Sequence, residues 1–303
     1  EEVFDDLLDG NVVLYNEKDS TAVDAPVQVS LSTPYNLAPG AKDLFGDYSV
    51  RVFVDGEYQT VDEAAYFLGM DLEVENEVMK LTFTTRGGQI KAVELKEYTK
   101  YGPRDARTEL VQMFDPEFER FNLSFFVRRG FNDLKIQTAD YTFQKVAVER
   151  DAEGVQRVTM QLPVAPGANL EYSYLIYNSA TPERDYLVDF DVRLNGMSPF
   201  LSNQTSIGVE WSSKSYQNER GFTNENLYTT LAYHFPGEDS IEDLGMSEGT
   251  KSDDEDTKID WVGFKQQFFS STLIVPEGLN GAQMAFETAE EGSGYMKTFS
   301  LVS

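Results

Sequence analysis

The sequence predicts an all-β protein of antiparallel sheets with very little helix. Three observations carry this. Apolar residues recur at every second position through the middle of the chain, Phe (21) and Tyr (16) are abundant, and stretches of helical period are scarce. Period-two alternation places one face of a strand in the interior, aromatic residues suit half-buried pleated surfaces, and packing sheet on sheet is the economical way to cover such faces.

The elements follow in chain order. Asp62 to Leu68 is the best helix candidate, with Asp62 placed to cap and Ala64, Ala65, Phe67 and Leu68 to propagate. Leu81 and Phe83 alternate into Gly87-Gly88, and Val93 and Leu95 leave it, a hairpin signal. Thr142 to Glu149 and Val155 to Leu162 flank Asp151-Ala152-Glu153-Gly154, a second hairpin. Leu170-Tyr172-Tyr174-Ile176 and Tyr186-Val188-Phe190-Val192-Leu194 sustain the alternation longest. Further strands are expected at Ile207 to Trp211, Tyr228 to Tyr233, Phe268 to Ile274, Gln283 to Glu287 and Lys297 to Val302. No repeat of 20 to 50 residues emerges, which speaks against a propeller or solenoid. Residues 1–72 are expected to form a partly irregular lead segment, and residues 73–303 one large sandwich.

Composition narrows the function. Cysteine is absent among the 303 residues, which removes disulfides, thiolate metal sites and a cysteine nucleophile. The net charge of -27 argues against nucleic acid as a partner, since phosphate neutralisation needs Lys and Arg. Mean hydropathy is -0.41 and no apolar run approaches a membrane span. Glu1-Glu2 is the opposite of a basic leader, so no signal peptide is read.

The charge is uneven. Glu238 to Asp260 holds ten acidic residues against two lysines and few apolar ones, and reads as a mobile, solvated loop. Neither Asp253 to Lys258 nor Gly249-Thr250-Lys251-Ser252 meets the spacing of a calcium or phosphate loop, so no cofactor is expected. Lys80, Arg86, Lys91, Lys96, Lys100, Arg104 and Arg107 face only three acidic residues, a net +4 in an acidic protein. The ordinary account of that segment is the solvent side of strands. The functional account is a surface turned towards lipid head groups or an acidic partner.

Nothing marks an enzyme. The one histidine, His234, is placed by alternation opposite Leu231 and Tyr233 at a strand end. Asp189 and Asp191 lie opposite Val188, Phe190 and Val192, the solvent side. With 52 acidic residues, some pair always falls at hydrolase spacing and no single pair is informative.

Two segments carry a family resemblance: Leu81 to Tyr98, with Arg86-Gly87-Gly88 and Lys96-Glu97-Tyr98, and Trp261 to Ile274, with Trp261 and Gln266-Gln267-Phe268-Phe269. In that order and spacing they resemble the periplasmic domain of the YidC membrane-protein insertase, in its Bacteroidetes type, over roughly Glu75 to Ser303. The motif residues Arg86, Gly87, Gly88, Trp261, Gln266, Gln267, Phe268 and Phe269 are read as structural: the aromatics as core between sheets, the amides as fasteners of neighbouring backbone. The resemblance implies a β-supersandwich of galactose-mutarotase type. It also implies a non-catalytic periplasmic domain of a bacterial inner-membrane protein, excised from its own transmembrane domain. Its partners would then be nascent membrane proteins and Sec translocon components such as SecF. The alternative is a secreted carbohydrate-binding or mutarotase-like protein. A mutarotase mechanism that needs two histidines is excluded by count.

Overall fold

The computed structural model describes residues 12–16, 21–22, 48–54, 57–60, 70–101, 109–129, 132–165, 167–178, 182–204, 206–245 and 248–303; before residue 70 only strand backbones are described. The helix expected at Asp62 to Leu68, and Arg104 and Arg107, lie outside these residues. The chain divides into two compact units, one drawn from Glu1–Glu77, Phe83–Gln89 and Phe125–Thr205, the other from Val78–Thr82, Ile90–Ser124 and Ser206–Ser303.

In the first unit, Gln144–Arg150, Gln156–Ala165, Ala168–Ile176 and Val188–Asn195 form a four-stranded antiparallel meander. Its two inner strands, Gln156–Ala165 and Ala168–Ile176, turn Val158, Met160, Leu162, Leu170, Tyr172, Tyr174 and Ile176 inward, and all of these are buried. The predicted turn is present: Gly154 takes φ +86, and Asp151 Oδ1 accepts from Val155 N–H at 2.8 Å. Phe83 packs on Tyr174 with ring centroids 5.0 Å apart, and Phe143 on Tyr172 at 4.6 Å. A separate four-stranded sheet holds Val12–Asn16, Thr21–Ala22, Tyr48–Val54 and Glu57–Thr60.

The second unit is a sandwich. Gly208–Tyr216, Tyr295–Val302, Ala282–Thr288 and Thr250–Glu255 pair in that order on one side, with Arg120 to Ser124 beyond Gly208–Tyr216. Glu242–Asp243, Thr230–His234, Ile259–Lys265 and Ser270–Leu279 form the other sheet. Their inner faces share one core of Trp211, Leu231, Tyr233, Ile259, Val262, Phe264, Met284, Phe286, Phe299 and Leu301 with their neighbours. Phe264 sits at its centre, stacked on Trp211 at 3.9 Å and on Phe299 at 4.9 Å. Burying such a side chain contributes about 1.5–3 kcal/mol.

Two expectations are corrected. The acidic segment is not a bare loop: Thr250–Glu255 pairs with Ala282–Thr288 through six register positions, and Glu242–Asp243 pairs with Thr230–His234. Asp253 and Glu255 both accept from the Tyr233 hydroxyl, at 2.9 and 3.1 Å, while exposed Asp254 adds charge to a sheet edge. An edge strand can be polar on both faces, and its charges repel unwanted pairing partners. Composition therefore hid it. Secondly, the described α-helix is Phe222–Tyr228, part of it within the stretch expected as strand from Tyr228.

Candidate functional site

The Trp261 motif closes the outer hairpin of the second unit. Gln266 N–H donates to Phe269 O at 2.7 Å, leaving Gln267 and Phe268 at the tip of a two-residue turn. Gln266 is 4% exposed, and its amide works in both directions: Nε2 donates to Met113 O at 2.9 Å and Oε1 accepts from Asn218 Nδ2 at 2.7 Å. Asn218 N–H in turn donates to Glu225 Oε1 and Glu219 N–H to Glu225 Oε2, both at 3.0 Å. Burial raises the Glu225 carboxyl pKa and those two backbone donors lower it. The short helix Phe222–Tyr228 carries this carboxylate. Its buried residues are Phe222, Glu225 and Asn226, one apolar and two polar, which form no apolar stripe for sequence reading to find.

The same end of this unit collects aromatic rings. Phe269 meets Tyr98 edge-on with centroids 5.3 Å apart, which brings the Trp261 motif against the basic segment. Tyr101 N–H donates to Asn218 O at 2.9 Å, and Lys265 Nζ to Tyr228 O at 3.0 Å. Tyr98, Tyr101, Leu227, Tyr228 and Phe268 are exposed. Phe268, expected in the core, is 66% exposed because the turn geometry of Gln266 and Phe269 sends the tip residue outward. Trp261 and Phe269 are partly buried, and Phe264 supplies the core instead.

The basic residues do not share one strand face. Lys91 and Lys96 are five residues apart on Gln89–Thr99, so alternation sends them to opposite sides of the strand. Lys96, Tyr98 and Lys100 share a parity, and Lys100 Nζ stands 4.4 Å from the Tyr216 ring centroid, a cation–π contact. Lys80 lies between buried Met79 and Leu81 on Met79–Thr84. Arg86 belongs to the first unit, at the turn where Gly87 and Gly88 take φ +75 and +64. There Gly87 N–H donates to Tyr141 O at 2.8 Å and the Tyr174 hydroxyl to Gly88 O at 2.6 Å. A Cβ on Gly88 would stand 2.9 Å from the Phe143 ring, so the second glycine is required by close approach as well as by φ.

His234 stands at the strand end, as its place in the sequence suggests. Nδ1 lies 2.7 Å from Asp260 Oδ1 and Nε2 2.8 Å from Glu238 O, and its ring stacks parallel to Trp261. Both neighbours accept hydrogen bonds, so they raise the imidazole pKa and favour the doubly protonated ring. Among the described residues, no group of three or more His, Asp or Glu is placed to hold a metal ion, and no helix is long and apolar enough to cross a membrane.

Comparison with known proteins gives a family match: the model of the YidC periplasmic domain fits residues 71–301. Among curated relatives, the membrane protein insertase YidC of Phocaeicola vulgatus is 34% identical over 227 residues, covering 75% of this chain and 33% of that protein. The insertase of Bacteroides fragilis is 28% identical over 231 residues, covering 75% and 34%, and that of Porphyromonas gingivalis 27% over 227, covering 75% and 33%. The match thus spans about a third of the length of these relatives. Among solved structures, a galactose mutarotase related enzyme from Lactobacillus acidophilus superimposes with TM-score 0.37 at 10% identity, covering 77% of this chain and 85% of its own. That likeness is too slight to bear on the site.

Proposed function

Because the chain belongs to the YidC periplasmic domain family, we propose that it is the periplasmic part of a membrane-protein insertase and acts there as a non-catalytic contact surface. The family match over residues 71–301 carries this reading. In it, the domain stands outside the inner membrane beside its own transmembrane helices and meets nascent membrane proteins or Sec translocon components such as SecF. The engagement of both ring nitrogens of His234 supports a role without acid–base chemistry, since neither nitrogen is left to serve a sugar.

In this reading the contact lies at the end of the second unit where Tyr98 meets Phe269, supported by Lys96 and Lys100 near Tyr98 in sequence, with Lys80, Lys91, Arg86, Arg104 and Arg107 as the remaining basic residues of the segment. A positive segment in a protein of net charge -27 favours an anionic head-group surface or an acidic partner. The test is charge reversal of Lys91, Lys96 and Lys100 to Glu, measured against anionic vesicles and purified translocon components. Association should fall and should weaken with salt on a Debye length of about 8 Å. Undiminished binding at low salt, with the fold intact by circular dichroism, removes the basic segment from the contact.

A further inference from the structure

Among the described residues, strand Ser270–Leu279 lies at the edge of its sheet, paired with Ile259–Lys265 on one side only. Its register tells which backbone groups are spare. Gln266 N–H donates to Phe269 O, so the hydrogen-bonded pairs alternate from there: Phe264 with Ser271 and Val262 with Leu273. Ser270, Thr272 and Ile274 therefore turn their N–H and C=O groups away from the sheet. The side chains of these three residues are exposed, while Leu273 and Val275 pack on the core.

Charge sets this edge apart. Other edge strands among the described residues carry charged side chains, as Thr250–Glu255 does with Lys251, Asp253, Asp254 and Glu255, and Val188–Asn195 with Asp189, Asp191 and Arg193. Gln144–Arg150, Asn132–Gln137, Asp71–Glu75 and Glu57–Thr60 also contain them. The rest are no more than three residues long. Strand Ser270–Leu279 holds its charge, Glu277, only beyond Pro276; the first six residues, Ser270 to Val275 (Ser-Ser-Thr-Leu-Ile-Val), carry none and favour extended backbone. Natural edges are guarded by charge, proline or brevity because an unguarded one pairs with whatever extended chain it meets. Exposed Phe268 (66%) and Ile274 (58%) bracket the open stretch with apolar surface, and Pro276 ends it.

We propose that the edge Ser270 to Val275 captures an extended polypeptide segment by β-strand addition, the backbone of the guest pairing with Ser270, Thr272 and Ile274. The occupant is an apolar or basic segment of another protein. A second copy of this chain brings a further net charge of -27 to the contact and is disfavoured by repulsion. Main-chain pairing supplies affinity independent of detailed sequence, which suits a surface that meets many different unfolded guests. This deepens the proposed function, and rests on it only for the identity of the guests.

The test uses the whole 303-residue chain and a fluorescein-labelled ten-residue peptide of alternating threonine and valine with lysine at both ends. Binding is read by anisotropy, and amide exchange at Ser270, Thr272 and Ile274 by NMR. Thr272→Pro deletes an N–H that faces away from the ladder, so the sheet keeps its bonds while the edge loses a donor. Thr272→Val keeps the N–H. Parent and Thr272→Val should bind alike and slow exchange at the three amides. Thr272→Pro should bind about tenfold or more weaker with an unchanged melting temperature, and alternate N-methylation of the peptide should abolish binding. Equal binding by Thr272→Pro, binding of the N-methylated peptide, or failure of the parent to bind would each overturn the proposal. So would a dimer of the parent that protects these amides without peptide. The Lys-to-Glu triple variant should still bind this peptide, so a failed edge and a failed basic segment are distinguishable.

Discussion

The ring of Phe269 meets the ring of Tyr98 edge-on, 5.3 Å between centroids, and so joins two segments that lie about 170 residues apart in sequence. Beneath that contact, Gln266 ties the Phe269 turn to Met113 and Asn218, and Tyr101 ties the end of the basic segment to Asn218 again. The exposed aromatic end of the second unit is therefore fixed by buried amides.

Replacing Gln266 by Leu removes both bonds and leaves Met113 O and Asn218 Nδ2 without that partner in a buried site. Each lost partner costs about 1–3 kcal/mol. The variant should lose stability in urea by that order and should lose the Tyr98 contact, visible as sharpened and shifted Tyr98 ring signals in NMR.

Phe264 tests the core of the sandwich. At 3% exposure and stacked on both Trp211 and Phe299, it should cost about 3–5 kcal/mol as Phe264→Ala. Phe268→Ala, at the exposed tip, should stay within about 0.5 kcal/mol of the parent. Equal losses for the two would mean that the turn residue packs inward after all.

Two glycines separate backbone strain from crowding. Gly237 takes φ +83 with open space around it, so Gly237→Ala should cost about 1–2 kcal/mol through the left-handed backbone alone. Gly88→Ala carries the same strain and drives a Cβ into the Phe143 ring, and should be clearly the less stable of the two. Chemical denaturation of both variants measures the difference.

Two groups make stability fall as pH rises. The His234 pKa is raised by its bonds to Asp260 and Glu238, so its contribution is complete below the unfolded value near 6.5 and is lost as pH climbs through the folded pKa. Glu119 is buried with one oxygen accepting from the Trp211 indole N–H at 2.7 Å, and desolvation pushes its pKa from 4.5 to about 7. Between those two values the folded state holds a proton that the unfolded state has released, so here too stability declines with rising pH. Glu119→Gln should flatten the profile from about pH 4.5 to 7, whereas His234→Gln should flatten it only above about pH 6.5. As the chain has one histidine, a single NMR titration reads its pKa, which Asp260→Asn should lower.

What the sequence made legible follows physical pattern. Strands with one inward face, buried in Ala168–Ile176 and partly buried in Val188–Asn195, announce themselves by alternation, and the Gly87-Gly88 and Gly154 turns by residues that tolerate positive φ. Thr250–Glu255 was hidden because a charged edge strand has the composition of a loop. Phe222–Tyr228 was hidden because its buried face holds one apolar residue, Phe222, beside the polar Glu225 and Asn226, and Glu225 is satisfied by the backbone of Asn218 and Glu219 just before the helix. The meeting of Tyr98 with Phe269 depends on tertiary pairing that no local period encodes.

If the proposed function holds, partner contact falls at the Phe268 end of the second unit. The most direct test is photo-crosslinking with p-benzoylphenylalanine at Phe268, and at Tyr186 (50% exposed) in the first unit as a control, with inner-membrane vesicles that are inserting nascent membrane proteins. Adducts with nascent chains or translocon components at Phe268, and few at Tyr186, are the predicted result. Adducts at Tyr186 with none at Phe268 would contradict it.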